Sequence, residues 1–459
     1  MSEGGSSSGL PEGWVRVRLD EVAEVRLGRQ RSPKNHSGTQ MRPYLRAANV
    51  DWRGLKLDDV KEMNFTDDEA AIFRLQKGDI VLGEASGSAS EVGKPAIWND
   101  EIVDCCFQNT LIRVRSNGVD SKYLLHFLRS EAIRGAFVEH SRGVGIHHIG
   151  VARLAAWPVP VPPVEEQRRV VAAIEEQLSR LDAAEGSARD VRRKLLAYKA
   201  SRERKIVPSP GVDAAESSLP EGWRMVRLGD ISHSSGYGTS TKCGYDGAGS
   251  PVLRIPNIQS GSIDTSDLKY ALDSGIDLRR YKVRSGDLLV VRTNGSRDLI
   301  GRVAVSRQDT DYAFASYLIR FRIKTDVSSP AWVARVLSTR SWRLLIETAA
   351  ASTAGQYNLN LKKLASLPIP LPPLEKQNSM AAMLDEIDES VRRLTSAVDE
   401  ASLKGGAFRR SLFAEAFAGR LVLQDSADEP AHALLARIRA EREAAGVTNS
   451  RRRSPRRTP

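Results

Sequence analysis

Apolar residues follow three rhythms along this chain. The first is a set of short β-like runs: "WVRVRL" from Trp14, "DIVL" from Asp79 and "LIRVR" from Leu111. Their later counterparts are "LLVV" from Leu288, "RVAVS" from Arg302 and "YLIRFRI" from Tyr317. Turn pairs such as Lys77-Gly78 and Ser285-Gly286 punctuate them, so small, mainly antiparallel sheets are expected. The second rhythm is a spacing of three and four. "SKYLLHFLRSEAIRGAF" from Ser121 and "PAWVARVLSTRSWRLLI" from Pro330 read as amphipathic helices. The third is a proline ladder feeding a helix, "WPVPVPPVEEQRRVVAAI" from Trp157 and again "LPIPLPPLEKQNSMAAML" from Leu367. Pro162–Pro163 and Pro372–Pro373 stand just before the helix, where a missing N–H costs least. Glu165, Glu166 and Glu375 follow in the first turn, as the helix dipole favours.

The helices after the ladders are long. Leu384, Ile387, Val391, Leu394, Val398, Ala401, Gly405, Phe408 and Leu412 form a coiled-coil seam. Ile174, Leu181, Ala184, Ala188, Val191, Leu195 and Tyr198 stand at the equivalent places 210 residues earlier. Each helix spans some forty residues, or ~60 Å at ~1.5 Å per residue. Their other faces are charged, so each needs a partner stripe.

The whole pattern occurs twice. "LPEGWVRVRLDEV" at Leu10 returns as "LPEGWRMVRLGDI" at Leu219, an offset of 209. "YLRAANV" at Tyr44 matches "VLRIPNI" at Val252, "RLQKGDIVL" at Arg74 matches "KVRSGDLLV" at Lys282, and "NTLIRVR" at Asn109 matches "SYLIRFR" at Ser316. This is a tandem duplication of a module of about two hundred residues, far longer than the ~20–50 of a solenoid repeat. The expected fold is α+β (mixed α/β): two homologous domains with small sheets, joined by two long antiparallel coiled-coil helices. The boundaries read 1–9 disordered, 10–163 first head, 164–207 helix, 208–218 linker, 219–373 second head, 374–420 helix, 421–447 helical segment and 448–459 basic disordered tail. The first helix ends, and the second begins, at the second head. If their seams pair they run antiparallel, and a dumbbell with a pseudo-twofold axis is expected.

Composition narrows the partners. The 459 residues are 41% hydrophobic and 27% charged, an ordinary globular mix. Net charge is +11, of which the tail "RRRSPRRTP" supplies five arginines. A mildly basic body suits nucleic acid. Cys105, Cys106 and Cys243 make an odd count without a CxxC pair, which argues against a disulfide framework or zinc cage. The start "MSEGGSSSGL" has no signal-peptide pattern, and no run approaches the ~18 apolar residues of a membrane span. A cytoplasmic location is expected.

Two basic heads held apart suit two DNA half-sites, and the copies diverge where reading would occur. Junction segments stay alike. "GRQRSPKNHSGTQMRP" against "GYGTSTKCGYDGAGSP" and "GEASGSASEVGKPAIW" against "RTNGSRDLIGRVAVS" do not. Side chains on such loops read base edges while the frame positions them.

The "LPEGW" entries, the "GD(I/L)L" strands with their loops, the "PxPxPP" ladders and the closing "FRRSLFAEAFAGRLVLQD…DEPAHALLARIRAER" resemble the specificity subunits of type I restriction–modification systems, over about residues 10–443. The resemblance implies two target-recognition domains on a bipartite, asymmetric double-stranded DNA site. It implies two methyltransferase subunits docked on the helices, and restriction subunits added through them. It implies no catalytic residues and no cofactor in this chain, with S-adenosylmethionine, ATP and Mg on the partners. No membrane and no homo-oligomer are required. Copy one's helix end, "KLLAYKASRERKIV", is more charged than copy two's "GGAFRRSLFAEAFAG".

For DNA contacts the first candidates follow each "GD" strand: Ser86, Ser88 and Lys94, and Arg292, Asn294, Ser296 and Arg297. Next come Arg46 with Asn49 and Arg254 with Asn257, since Arg and Asn bond guanine and adenine edges bidentately. His147-His148 and the matching Tyr357-Asn358 are added as polar residues entering the ladders. Neighbours on an extended segment point to opposite sides, so His147-His148 is not a metal pair. "GSASEVGK" from Gly87 lacks P-loop spacing and is followed by Pro95. Two other readings are open: the recognition part of a fused methyltransferase–nuclease, and a solitary DNA-binding scaffold.

Overall fold

The computed structural model describes residues 9–139, 147–209, 219–259, 261–353 and 356–452. Most of the expected N-terminal disorder, the linker and the end of the basic tail lie outside the described residues. The chain divides into two compact units, Met1–Ser187 with Ala401–Pro459, and Ala188–Glu400. Each holds one head and a part of each long helix.

Each head is built on a four-stranded antiparallel sheet. In head 1 the order is Ala23–Leu27, Leu111–Ser116, Ile80–Gly83, Pro95–Ile97. Head 2 repeats it with Ser232–Tyr237, Leu318–Ile323, Asp287–Val291, Val303–Val305. A smaller sheet beside each contains one parallel pair, Cys106–Phe107 on Met41–Leu45 and Ala313–Phe314 on Pro251–Leu253. The fold class is α+β, with two homologous heads and two long helices.

One buried ion pair explains two of the repeated landmarks together. Asp79 accepts from Arg115 Nε and Nη2, both at 2.7 Å. Asp287 accepts from the same atoms of Arg322, both at 2.8 Å. These carboxylates are 1% and 0% exposed, and a buried charge persists only when paired. Each also accepts a turn N–H, from Gln76 at 2.8 Å and Arg284 at 2.9 Å. Those turns contain Gly78 (φ +90°) and Gly286 (φ +81°), in the region open to glycine. The "GD" and "LIRxR" motifs are thus two ends of one interaction. Alongside, Arg113 and Arg320 lie 5.3 and 5.2 Å from the ring centroids of Phe107 and Phe314. Burial lowers the pKa of both guanidiniums.

The proline ladder has a partner that periodicity did not reveal. Val15–Arg18 runs antiparallel to Pro158–Val161, and Arg224–Arg227 to Pro368–Leu371. Each is a two-stranded sheet, where a proline's missing N–H is tolerated. Ladder carbonyls hold the neighbouring helix: Tyr123 O–H donates to Pro160 at 2.7 Å, and Trp332 Nε1 to Pro370 at 2.8 Å. The long helix is locked on at its first turn. Gln167 Oε1 accepts from Asp120 N at 2.8 Å, and its Nε2 donates to Pro162 O at 2.9 Å. Gln377 repeats this with Ser329 N at 2.7 Å and Pro372 O at 3.0 Å. Both glutamines are buried. The glutamine in each ladder motif therefore fastens a head helix to a spacer helix.

The long helices run Val164–Ile206 and Leu374–Phe417, 43 and 44 residues. Within unit 2 Arg192 meets Asp399 at 2.9 Å and Lys199 meets Asp388 at 2.7 Å. Numbers rise on one helix as they fall on the other, so the pairing is antiparallel. Within unit 1 Arg409 bridges Asp182 and Glu185, and a Cβ on Gly405 would stand 3.1 Å from Leu181. The seam is not sealed throughout. Ile174, Leu384 and Leu412 are buried, while Val191, Tyr198, Leu394 and Phe408 are 44–53% exposed. A straight helix drifts ~20° per heptad from a 3.5-residue repeat, and one partner helix covers only a narrow stripe.

Three boundaries differ from the sequence reading. The second long helix stops at Phe417 rather than 420, because Gly419 (φ +71°) closes a Schellman turn. Its N–H reaches Ala416 O, and Arg420 N reaches Glu415 O. The segment expected to be helical from 421 begins its helix only at Ala431 and runs to Arg452, past the expected start of a disordered tail at 448. Pro430 bars the residue before it from the helical region. Ala431, Leu434, Leu435 and Ile438 then bury one face in the core of head 1.

Candidate nucleic-acid interface

In each head the strand after the Asp–Arg pair runs out into a loop of the same construction. Gly83 N bonds Lys94 O at 3.2 Å and Val291 N bonds Arg302 O at 2.9 Å. Gly93 N returns to Gly83 O at 3.1 Å, and Gly301 N to Val291 O at 2.7 Å. Both closing glycines have positive φ, +72° and +68°. A Cβ there would fall 2.3 Å from Phe137 or 2.2 Å from Ile346, so only glycine fits. The loop then forms a short ribbon. Ala85–Ser86 pairs with His147–His148, and Thr293–Asn294 with Asn358 and Tyr357.

This ribbon joins candidates that the chain keeps far apart. Ser86 stands opposite His147, and Asn294 opposite Tyr357. His148, 56% exposed, places Nδ1 3.0 Å from Glu84. Ser86 Oγ accepts from Ser88 N at 3.0 Å, and Ser88 is exposed. In head 2, Arg292 lies 4.9 Å over the ring of Tyr237, with Nε and Nη1 each 3.3 Å from the carbonyls of Leu359 and Ser316. Asn294 Oδ1 accepts from Ser296 N at 2.8 Å. Arg297 is exposed and lies 5.7 Å over Tyr357, a cation–π stack. Ser296 and Asn358 are exposed beside it.

The paired "LRxxN" candidates do something else. Asn49 and Asn257 are 2% and 1% exposed. Asn49 accepts from Arg46 N and donates to Lys56 O and Asp59 O. Asn257 accepts from Arg254 N and donates to Asp264 O and Asp267 O. Their amides close a loop and have no edge left for a base. Arg46 and Arg254 are held by Asp59 and Asp267. Lys94 is also withdrawn: it pairs with Glu91, and its side chain is 14% exposed. An Asn three residues after an Arg looks the same in sequence whether it faces a ligand or its own loop.

Other residues were missed. Glu84 lies inside a divergent loop, and Tyr317 heads a repeated strand, yet neither is among the sequence candidates. Tyr237, Tyr245 and Tyr317 are 43%, 67% and 53% exposed, and Lys269 lies 4.7 Å over the Tyr245 ring. Exposed rings beside cations suit bases and phosphates, but an isolated Tyr gives no such signal in sequence. Burial pushes the Cys105 and Cys106 thiols up to about 12, so they stay protonated as small hydrophobes. Among the described residues no three His, Cys, Asp or Glu side chains gather as a metal site. No helix among them is long and apolar enough to cross a membrane.

A duplicated frame with unlike rims, acidic and polar in head 1 and basic and aromatic in head 2, defines a class: a two-domain recognition protein. The comparisons give the family. Residues 11–185 and 220–400 match the type I restriction modification DNA specificity domain, and the chain belongs to that family of specificity subunits. It is 26% identical over 474 residues to the type I restriction enzyme EcoKI specificity subunit of Escherichia coli K12, covering 98% of this chain and 99% of that one. It is 24% identical over 461 residues to the StySPI specificity subunit of Salmonella potsdam, covering 97% and 98%. A solved chain from work on complex assembly and conformational transition of the type I R-M system superposes with a TM-score of 0.70 at 23% identity, over 90% of this chain and 99% of that one. The HsdS subunit of Thermoanaerobacter tengcongensis superposes at 0.51 and 22% identity, over 92% and 100%. At these identities the structures speak for the fold.

Proposed function

We propose that each head reads one half of a bipartite, asymmetric DNA site. The long helices dock two methyltransferase subunits and, through them, restriction subunits. On this reading the chain carries no catalytic step. S-adenosylmethionine, ATP and Mg belong to the partners, as the relatives' role as specificity subunits suggests. One observation carries the reading: both heads keep the same Asp–Arg frame and loop closure while the ribbon side chains differ almost completely. A frame that repeats and a rim that does not is what two dissimilar half-sites require. Helices of matched length, 43 and 44 residues, suit a spacer that sets the gap between the halves.

Mapping methylated adenines genome-wide, with and without this gene, tests the reading. The expected result is a motif of two unlike halves separated by a fixed gap, absent without the gene. Seven residues inserted into both helices should alter the gap and leave both half sequences alone. Loss of no motif, or a continuous one, would sink the proposal.

A further inference from the structure

Position 84 in head 1 and position 292 in head 2 are the same backbone station. Glu84 N donates to Thr110 O at 2.9 Å, and its carbonyl accepts from Ile149 N at 3.0 Å. Arg292 N donates to Tyr317 O at 2.9 Å, and its carbonyl accepts from Leu359 N at 2.7 Å. Each residue lies between the last strand residue of the frame and the first residue of the ribbon. Where the frame needs a charge, as at Asp79 and Asp287, both heads carry the same one. At this station the sign is opposite, so the fold common to both heads does not dictate the side chain.

We propose that Glu84 and Arg292 are matched specificity-determining residues of opposite chemistry, a deepening that rests on the DNA-reading function above. Glu84 is an acceptor, its side chain 18% exposed and steered by His148 at the ribbon edge. It takes an amino edge, cytosine N4 or adenine N6. Arg292 is a donor fork over the ring of Tyr237, with Nε and Nη1 turned to the carbonyls of Leu359 and Ser316 and the remaining guanidinium N–H groups left to give. It takes the O6 and N7 acceptors of guanine. These pairings follow the donor and acceptor pattern of the major groove. Head 1 has Thr110 where head 2 has Tyr317, and its hydroxyl already accepts from Ala47 N at 3.0 Å. Leu27, paired with Ile112, stands where Tyr237 pairs with Ile319, so the acid with its histidine lacks the aromatic ring over which the arginine lies.

The test uses the full chain with its methyltransferase partners, bound to a duplex library with randomised halves at the native gap. Glu84→Gln keeps the size and the hydrogen bond to His148. It should relax preference at one position of one half by about ten-fold or more, the discrimination expected of a good base contact. Arg292→Lys and Arg292→Gln should do the same at one position of the other half. The untouched half is the internal control for folding. Uniform loss of binding with unchanged base preferences would show a structural or phosphate role and overturn the proposal. So would a relaxed position in both halves. A wild-type complex that enriches no bipartite sequence would instead sink the DNA-reading function itself, and this assignment with it.

Discussion

Head 1 and head 2 share the buried Asp–Arg pair, the glycine-closed loop, the ladder sheet and the glutamine lock, and then part company at the rim. Head 1 presents Glu84, His148 and serines; head 2 presents Arg292, Arg297 and three exposed tyrosines. The difference separates what a recognition domain needs to fold from what it needs to recognise. It also reaches inward at one place. His126 and Arg335 stand at equivalent positions on the head helices, each against a spacer helix. Arg335 bonds Asp388 and the carbonyl of Leu384. His126 is 4% exposed, 3.8 Å from Glu175, with neither ring nitrogen hydrogen-bonded. Burial, helped by Arg129, pulls its pKa down to about 4 despite Glu175.

The sharpest way to break the comparison is to attack the shared frame. Asp79→Ala and Asp287→Ala each strand a guanidinium and a turn N–H. Each should destabilise its own head by about 3–5 kcal/mol, the cost of breaking a buried pair. Denaturant unfolding should show similar losses in the two variants. A loss in one head alone would mean the frames are not equivalent.

Acid should separate the heads next. The folded His126 pKa lies below the unfolded value, so the native state binds fewer protons. The stability it contributes is whole above about pH 6.5 and is lost as pH falls toward 4, up to about 3 kcal/mol. His126→Gln should flatten that part of the curve. In head 2 burial opposes the Asp388 carboxylate, but Lys199 and Arg335 more than offset it and hold its pKa below the ordinary value. Its contribution is present above the unfolded carboxylate pKa and is lost only as pH falls below about 5, under most of the window in which His126 acts. Unfolding midpoints from pH 7 to 4 check both statements.

The smallest expected effect is at the locks. Gln167→Leu or Gln377→Leu leaves a buried N–H and carbonyl without partners and should cost about 2 kcal/mol. Gln377 also accepts from Ser328 Oγ at 3.2 Å, so its loss should equal or slightly exceed that of Gln167. Thermal melts of the pair would show it.

Much of this was legible before any coordinates. Five ordered landmarks revealed the duplication, and a three-and-four spacing located both long helices to within a few residues. Prolines and glycines marked where elements stop, because their backbone limits are local. Gly419 and Pro430 act in the same way at the C-terminal boundaries. Other pairings joined residues too distant for any window to connect. The strand Val15–Arg18 meets a ladder some 140 residues away. Gln167 looks like any polar residue in a first turn until its two backbone partners are seen.

The repeat, the α+β class, the helix lengths and the likeness to DNA specificity subunits belong to the sequence by itself, since they rest on order, period and local backbone preference. Which side chains face outward belongs to the tertiary structure. Asn49 and Arg292 are equally plausible readers of bases as letters. One is closed off by carbonyls seven and ten residues on, while the other turns only Nε and Nη1 to carbonyls and keeps further donors over a tyrosine ring at the rim. A polar group's availability depends on whether the fold has already satisfied its hydrogen bonds.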